Sequence, residues 1–283
     1  MTESKPGLEG FESRVLDVRA ARVRYDVGGD GAPLVLVHGF AGAASNFAVL
    51  APLLARRHRL LVPDLPGHGG SGSLAAAPTL AGFADCVAAV LEHERTGPAA
   101  VVGHSMGGVV ALRLAVRRPE LVRGIVLAAS AGISTTTRLA EVFLTAAATL
   151  QPGRRIALWR ERIARSPRLR ALAFDGFSTS DAAAMSPQAT LGFLAGSRQY
   201  TDIWSAGRAL VREDVRLDLE RVRCPALVLA GARDRQVPID DAFEYARRLR
   251  ASLRTIADCG HLLVGERPEA CADAIERFLE LSG

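Results

Sequence analysis

The sequence contains a single lysine, Lys5, and all its remaining Lys and Arg residues are arginines, out of a total of 35. Such a bias is typical of a GC-rich coding sequence rather than of a selected surface. The formal net charge is +5, but acidic residues are interleaved with the arginines. A nucleic-acid binder instead carries a continuous basic patch or stripe. We therefore expect no nucleic-acid partner.

Cysteine is also scarce, and its spacing matches neither a disulfide framework nor a metal site. The four cysteines are Cys86, Cys224, Cys259 and Cys271. This pattern favours reduced, buried thiols in a cytosolic protein. No cluster of histidine and cysteine suggests a zinc site, so we expect no metal. We expect no organic cofactor either.

Long apolar runs are absent as well. None approaches the roughly 18 residues that a membrane-spanning helix needs. The first residues, MTESKPGLEGFESR, lack the basic start and apolar stretch of a secretory signal. We therefore expect a cytoplasmic protein with no membrane partner. The 283 residues fit one large domain or one domain with an insertion, and the oligomeric state is left open.

What the sequence does contain is a regular alternation of strands and helices. The segments ESRVLDVRA and ARVRYDVGG alternate polar and apolar residues, as a half-buried hairpin does. Apolar runs such as PLVLVHG, AAVVGHS and CPALVLAG follow, which is typical of central parallel strands. Helices are predicted at about 46–56, 80–94, 106–118, 240–250 and 268–281. This order predicts an α/β fold whose mostly parallel central sheet has helices on both faces.

The alternation stops after the sixth predicted strand. Between Ser130 and about Arg221 the sequence shows helical patterns and no buried-strand runs. We interpret residues 131–215 as a helical cap inserted into a core formed by residues 1–130 and 216–283. In an open parallel sheet, ligands bind at the carboxyl ends of the strands, so the cap is expected to cover that edge.

The strongest chemical signal is Gly103-His104-Ser105-Met106-Gly107, which fits the pattern G-x-S-x-G. A buried strand precedes it and a helix follows it. A tight strand-to-helix turn exposes the central hydroxyl at the sheet edge, and glycines are needed where larger side chains would collide. The nearby helix N-terminus favours a developing negative charge. Ser105 is therefore the predicted nucleophile.

A serine hydroxyl needs a base to become an effective nucleophile. Among the six histidines, His261 is the best placed, because it follows the last strand in a loop before the closing helix. His38 and His68 precede Ser105 in the chain. His58 and His93 are predicted to be surface residues, beside a strand and at a helix end.

The base in turn needs an orienting acid. Asp234 follows CPALVLAG and gives the order Ser, Asp, His that this kind of site uses. An acid after the preceding strand would be an alternative, but the segment GIVLAASAG contains none. Asp240 and Asp241 are explained as N-cap residues of a helix, and Asp258 as a strand-end residue.

Two backbone N–H donors are also required, to stabilise the oxyanion of a tetrahedral intermediate. The residue after the nucleophile, Met106, supplies one of them. The second is expected from the loop His38-Gly39-Phe40-Ala41-Gly42, where Phe40 is the predicted donor.

These motifs together resemble the α/β-hydrolase fold family, in particular its serine esterases, cofactor-free haloperoxidases and C–C hydrolases. The resemblance runs from about Pro33 to the C-terminus, excluding the cap, and implies structural roles for Asp64 and His68. In related epoxide hydrolases and haloalkane dehalogenases the nucleophile is an aspartate, so Ser105 disfavours those reactions. Meta-cleavage-product hydrolases have an oxyanion loop closer to HGxGPG, whereas HGFAGAAS lacks that proline.

Substrate specificity is expected to come from the cap and the oxyanion loop. The predicted substrate-binding residues are Phe40, His104, Trp159 and Phe193. Residues 132–212 carry eleven arginines against five acids. This excess could attract an anionic substrate, although a solvated helix face with arginine bias is the favoured interpretation. The apolar cap residues Phe143, Leu150, Phe177 and Trp204 either line a pocket or pack the cap on the core.

The predicted activity is hydrolysis of a carboxylic ester-like bond through an acyl-enzyme intermediate, with a small-molecule substrate. A serine-dependent C–C bond hydrolase or a thioesterase is the enzymatic alternative. A ligand receptor built on the same fold is the alternative without turnover.

Overall fold

The computed structural model describes residues 7–18, 21–74, 79–134, 150, 155–196 and 203–282. In these residues eight strands form one sheet in the order β1-β2-β4-β3-β5-β6-β7-β8. The strands are β1 Glu12–Val18, β2 Ala21–Gly28, β3 Ala32–Val37, β4 His58–Pro63, β5 Ala99–His104, β6 Val122–Ala128, β7 Ala226–Gly231 and β8 Ser252–Ile256. The β1-β2 hairpin joins the sheet antiparallel to β4, and the remaining pairs are parallel. The predicted sheet is confirmed.

The central strands are buried on both faces, as their apolar runs predict. In β3, Leu34 and Leu36 pack into one hydrophobic cluster, whereas Val35 and Val37 pack into the cluster on the opposite face. Successive side chains of a strand point to opposite faces, so an apolar run supplies both layers at once. The edge strand β1 alternates exposed and less exposed residues instead.

Helices cover both faces of the sheet. Those of the core are α1 Ala51–Leu54, α2 Leu80–His93, α3 Met106–Arg117, α8 Ile239–Leu249, α9 Leu263–Glu266 and α10 Pro268–Ser282. Those between β6 and β7 are α4 Arg160–Arg165, α5 Pro167–Phe174, α6 Pro187–Gly196 and α7 Ile203–Arg212. α2 and α3 contribute to one hydrophobic cluster, and α1 and α10 contribute to the other.

The segment between β6 and β7 contacts loops at the carboxyl ends of the strands. Ser45 Oγ, in the loop after β3, donates to the carbonyl of Gly192 in α6 at 2.8 Å. Gly260, in the loop after β8, packs against the backbone of Thr179. This arrangement places helical structure where the sequence predicts a cap. The division into a core of residues 1–130 and 216–283 and a cap of residues 131–215 stays a prediction.

Three local expectations were wrong. In place of a helix over 46–56, the chain forms a 3₁₀ turn at Ala44–Phe47 and the short α1. His58 is not a surface residue: it is 7% exposed, and its Nε2 lies 3.0 Å from Glu276 Oε1, a partner 218 residues away. Asp240 and Asp241 do not cap α8, whose N-cap is Pro238. They occupy its first turn, where Asp241 accepts a hydrogen bond from the backbone of Ser134.

One arginine of the segment between β6 and β7 has a structural role. Arg170, in α5, is 6% exposed. Its guanidinium donates to the carbonyls of Ala164, Ala182 and Ala183. Because these bonds use the guanidinium inside the fold, Arg170 does not contribute to an exposed basic surface.

A buried ion-pair network fixes the loop after β4. The guanidinium of Arg24 binds Asp26, and it binds Asp64 Oδ2 at 2.8 Å. The side chains of all three residues are at most 4% exposed. Asp64 also accepts the backbone N–H of Ala44 at 2.7 Å and that of Gly70 at 2.8 Å. Asp64 therefore has the structural role that the family resemblance implies.

We predict that Arg24→Ala lowers the free energy of unfolding by about 3–5 kcal/mol, because it leaves two buried carboxylates without their cation. Arg57→Ala is the control, since Arg57 is 59% exposed in its pair with Glu280, and solvent screens such a surface pair so that it contributes little to stability. Urea unfolding of both variants measures the difference. Equal losses would contradict the assigned importance of the buried network.

Candidate active site

Ser105 lies at the turn between β5 and α3 and has a backbone conformation that is unusual for a residue with a side chain. Its φ is 54° and its ψ is −119°. Conformations of this kind cost free energy and persist only where the surroundings hold them. Here the Ser105 N–H donates to the carbonyl of Ala128, and its carbonyl accepts the N–H of Gly108 at 3.0 Å. The strained turn predicted from the motif is thus present.

The glycines of the motif are required by the close approach of neighbouring backbone. A Cβ on Gly103 would lie 2.2 Å from the carbonyl oxygen of Gly107. A Cβ on Gly107 would lie 2.1 Å from the carbonyl oxygen of Val37, at the end of β3. Neither contact can relax by moving a flexible side chain, so the turn excludes larger residues at both positions.

The structure brings together the three residues predicted to carry the chemistry. His261 Nε2 lies 3.0 Å from Ser105 Oγ, and His261 Nδ1 lies 2.8 Å from Asp234 Oδ2. The hydrogen-bond network assigns the tautomer: Nδ1–H donates to the carboxylate, and Nε2 accepts from the serine hydroxyl. A hydroxyl, an imidazole and a carboxylate in this order allow proton transfer from Ser105 to His261.

Asp234 is held as an ionised acceptor. Burial raises the pKa of its carboxyl group, but hydrogen bonds from His261 and from the backbone N–H groups of Val237 and Gln236 outweigh this, and the pKa falls below its ordinary value. Oδ1 accepts the two backbone N–H groups at 2.8 and 2.9 Å, which leaves Oδ2 for the imidazole. The carboxylate is therefore both charged and fixed in orientation.

His104 has a different place from the one predicted. We expected it to contact substrate, but its side chain is 3% exposed and Nε2 donates to the backbone carbonyl of His261 at 2.9 Å. Burial, with a smaller contribution from the nearby His261, lowers its pKa to about 3. A neutral, buried ring in this position supports the backbone of His261.

The loop after β3 approaches Ser105, as the predicted oxyanion site requires. A Cβ on Gly39 would lie 3.0 Å from Ser105 Cβ, so the backbone at Gly39 passes beside the serine. His38 fixes this loop: Nδ1 donates to the carbonyl of Gly39 at 2.8 Å, and Nε2 accepts the N–H of Leu65 at 2.9 Å. Burial lowers the pKa of His38 to about 4. The donor roles of Phe40 and Met106 stay predictions.

The other predicted substrate-binding residues differ in how deeply they are buried. The half-buried Phe40 faces Gly207 of α7. Phe193 is 8% exposed, and its ring packs against Gly265, which favours a packing role. Trp159 is 61% exposed where α4 begins, and its role stays a prediction. Of the further apolar candidates, Leu150, Phe177 and Trp204 are exposed, and Phe143 lies outside the described residues.

Sequence reasoning missed the contacts that hold the loop of His261. The carbonyl of Ser178, between β6 and β7, accepts the N–H groups of His261 at 3.0 Å and Leu262 at 3.1 Å. The Ser178 hydroxyl accepts from the side chain of Gln236 at 3.0 Å. A hydrogen bond to a backbone carbonyl cannot be predicted from the sequence, because every residue has this group. The side chain of Glu266, which accepts the N–H of Gly260 beside His261 at 3.0 Å, was missed too. A carboxylate within the apolar stretch LLVGE was a visible signal for it.

The described ranges contain neither a candidate metal site nor a candidate membrane span. There, no three or more histidine, cysteine, aspartate or glutamate side chains are grouped so that they could hold a metal ion. None of the described helices combines the length and apolar character needed to cross a membrane.

The chain matches the model of the Alpha/beta hydrolase family over residues 34–274. Because this match spans most of the sequence, the chain belongs to the alpha/beta hydrolase family. The resemblance inferred from the motifs is thus confirmed at the level of the family, which includes hydrolases and esterases.

Three relatives illustrate the range of the family. The chain is 32% identical to a pimeloyl-[acyl-carrier protein] methyl ester esterase of Aromatoleum aromaticum, covering 86% of this chain and 96% of that one. It is 29% identical to a 2-hydroxy-6-oxo-6-(2'-aminophenyl)hexa-2,4-dienoic acid hydrolase of Metapseudomonas resinovorans, covering 98% and 93%. It is 42% identical over 110 residues to a dihydrolipoyllysine-residue acetyltransferase component of an acetoin cleaving system of Pseudomonas putida, which is 38% of this chain and 30% of that protein.

Solved structures show the same fold. The crystal structure of E-2-(acetamidomethylene)succinate hydrolase superimposes with a TM-score of 0.76 at 19% identity, covering 95% of this chain and 99% of that one. At this level of identity the similarity concerns the fold alone.

We predict that Gly107→Ala abolishes reaction of Ser105 with a fluorophosphonate probe, because the added methyl group would collide with the backbone of β3 and displace the turn. Gly124→Ala is the control, since its Cβ would meet no atom closer than 3.5 Å. Labelling rates and circular dichroism of both purified variants measure the effect. Unchanged labelling of Gly107→Ala would show that the turn tolerates a side chain.

A second prediction concerns the acid. The pKa of Asp234 is depressed in the folded state, so its ionisation stabilises the fold above the unfolded-state pKa, near 3.8, and this contribution is lost as pH falls through the lower folded-state value. As pH falls below about 3.8, we expect the free energy of unfolding of wild type to decrease relative to that of Asp234→Asn. Urea unfolding of both proteins from about pH 7 to about pH 3 measures the difference. Parallel curves over the whole range would contradict the assigned ionisation.

Proposed function

We propose that this protein is a serine hydrolase that cleaves a carboxylic ester-like bond of a small molecule through an acyl-enzyme intermediate. The observation that carries the proposal is the continuous row of hydrogen bonds from Asp234 through His261 to Ser105. Its position at the carboxyl ends of parallel strands is where open α/β sheets bind ligands. The esterase among the relatives supports the choice of an ester.

The first half of the reaction forms the acyl-enzyme. His261 Nε2 removes the proton of Ser105 as the hydroxyl oxygen attacks the substrate carbonyl carbon. Asp234 holds the imidazole in the correct tautomer and stabilises the cation that forms. The N–H groups of Phe40 and Met106 stabilise the oxyanion, and the loss of one such donor raises the barrier by about 3 kcal/mol. His261 then protonates the leaving alcohol.

The second half releases the acid. Water takes the place of the alcohol, and His261 removes its proton while the water oxygen attacks the acyl carbon. The second tetrahedral intermediate uses the same two N–H donors. Its collapse returns the proton from His261 to the oxygen of Ser105 and frees the carboxylic acid. The mechanism requires neither a metal nor an organic cofactor.

A second enzymatic candidate is cleavage of a C–C bond, with thioester hydrolysis as a further variant. It is favoured by the relative whose named substrate, a 2-hydroxy-6-oxo dienoic acid, carries a ketone and no ester. In that reaction Ser105 would attack the ketone carbon, with the same base and the same oxyanion donors. The loop HGFAGAAS, which lacks the proline of HGxGPG, favours the ester instead.

A ligand receptor on this fold is the alternative without efficient turnover. A receptor can keep the three residues in register, so their geometry alone does not separate it from an enzyme. Tight binding of a ligand with a negligible steady-state rate would identify a receptor, whereas multiple turnovers per molecule would identify an enzyme.

We predict that wild type hydrolyses p-nitrophenyl esters and that Ser105→Ala reduces kcat on the order of 10⁶-fold, as removal of the nucleophile from a comparable triad does. Steady-state release of p-nitrophenol over a series of increasing acyl length measures the activity and the size of the acyl pocket. Ser252→Ala is the control, because Ser252 is exposed at the amino end of β8, on the opposite edge of the sheet.

Three results separate the candidates. Activity that is lost only in Ser105→Ala supports the proposal. Labelling of Ser105 by a fluorophosphonate without ester turnover would favour C–C cleavage, thioester cleavage or a receptor. Folded wild type with neither labelling nor turnover would contradict the assignment of Ser105 as a nucleophile.

A further inference from the structure

Glu266, five residues after His261, is a buried carboxylate with partners in two different parts of the molecule. It ends the short helix α9 and is 5% exposed. Oε1 accepts, at 3.0 Å, the backbone N–H of Gly260, the residue immediately before His261. Oε2 accepts the backbone N–H of Ser180 at 2.8 Å, in the segment between β6 and β7. One side chain therefore joins the loop of His261 to that segment.

The backbone of the same segment makes parallel contacts. The carbonyl of Ser178 accepts the N–H groups of His261 and Leu262. A Cβ on Gly260 would lie only 2.8 Å from the backbone of Thr179 and Ser180. The loop of His261 and residues 178–180 are therefore in direct backbone contact, with Glu266 bridging their N–H groups.

Asp175 keeps residues 178–180 in place. Its Oδ1 accepts the hydroxyl of Thr179 at 2.7 Å and the N–H of Ala182 at 2.6 Å. The turn that presents Ser178 and Ser180 to the His261 loop thus has its own internal support. The bridge through Glu266 connects two locally ordered units.

We propose that Glu266 is a positioning residue, whose carboxylate bridges Gly260 and Ser180 and so holds His261 within reach of Ser105. This inference rests on the proposed function, because it concerns the base of that reaction. The imidazole is held at Nδ1 by Asp234, but the backbone that carries it is fixed by Ser178, His104 and Glu266. Loss of the bridge lets that backbone move away from the serine.

Glu266→Gln tests the role with nearly the same side-chain size. The amide places an NH₂ group, which cannot accept a hydrogen bond, opposite one of the two backbone N–H groups. A small misplacement of a catalytic group can cost up to about 100-fold in rate. We therefore expect fluorophosphonate labelling of Ser105 and kcat for p-nitrophenyl esters to fall at least about tenfold, with KM little changed.

Glu276→Gln is the matched control. Glu276 is also a carboxylate in the C-terminal part of the chain, and it pairs with His58, at the amino end of β4. This position is at the opposite edge of the sheet from Ser105. We expect Glu276→Gln to lower the melting temperature while the labelling rate stays that of wild type.

A spectroscopic measurement tests positioning without turnover. The proton shared between His261 Nδ1 and Asp234 gives a downfield proton resonance in NMR spectra, identified by its absence from His261→Ala. We expect Glu266→Gln to broaden or shift this resonance and Glu276→Gln to leave it unchanged. A role of Glu266 in stability alone would leave it unchanged in both variants.

The outcomes are distinct. Folded Glu266→Gln with the labelling rate and resonance of wild type would overturn the positioning role while leaving the proposed function intact. If Glu266→Gln does not fold, Glu266→Asp, which keeps the charge but has a shorter reach, takes its place with the same expectations. Folded wild type that is not labelled at Ser105 would overturn both the proposed function and the role of Glu266 in it.

Discussion

The turn between β5 and α3 is the constraint on which the rest of the site depends. Ser105 holds a backbone conformation that is costly for a residue with a side chain, and the surrounding backbone packs so closely that Gly103 and Gly107 have no room for a Cβ. The turn therefore requires the neighbouring strands β3 and β6 in place, since they supply the atoms against which it packs. Strain of this kind is kept where it exposes a reactive group.

His261, the proposed base, is held by hydrogen bonds from several parts of the chain rather than by close packing within one turn. Its loop has little regular structure of its own, and neighbouring parts of the chain fix it instead. Asp234 binds the imidazole, His104 binds the carbonyl of His261, and Ser178 binds its N–H. Because Ser178 lies between β6 and β7, the segment that joins these strands also helps to place His261. A change in that segment is thereby coupled to the position of His261.

Burial keeps two histidines near Ser105, His38 and His104, in the neutral form. The pKa values of His38 and His104 are lowered to about 4 and about 3, mainly because their rings are buried. Both rings therefore stay neutral at neutral pH and serve as hydrogen-bonding supports, one for the loop after β3 and one for the loop of His261. Asp234 stays ionised, so its charge lies directly against the imidazole of His261.

The sequence by itself determined the order of strands and helices along the chain. It also predicted an insertion after the sixth strand and the three residues Ser105, Asp234 and His261, which the structure brings together. These features rest on local periodicity and on short motifs whose spacing follows from the geometry of a parallel sheet. Only the tertiary structure decided that His58 is buried against Glu276, that His104 supports His261 and that Glu266 bridges two loops. These contacts join distant residues, several through backbone atoms that every residue shares, so no local pattern encodes them.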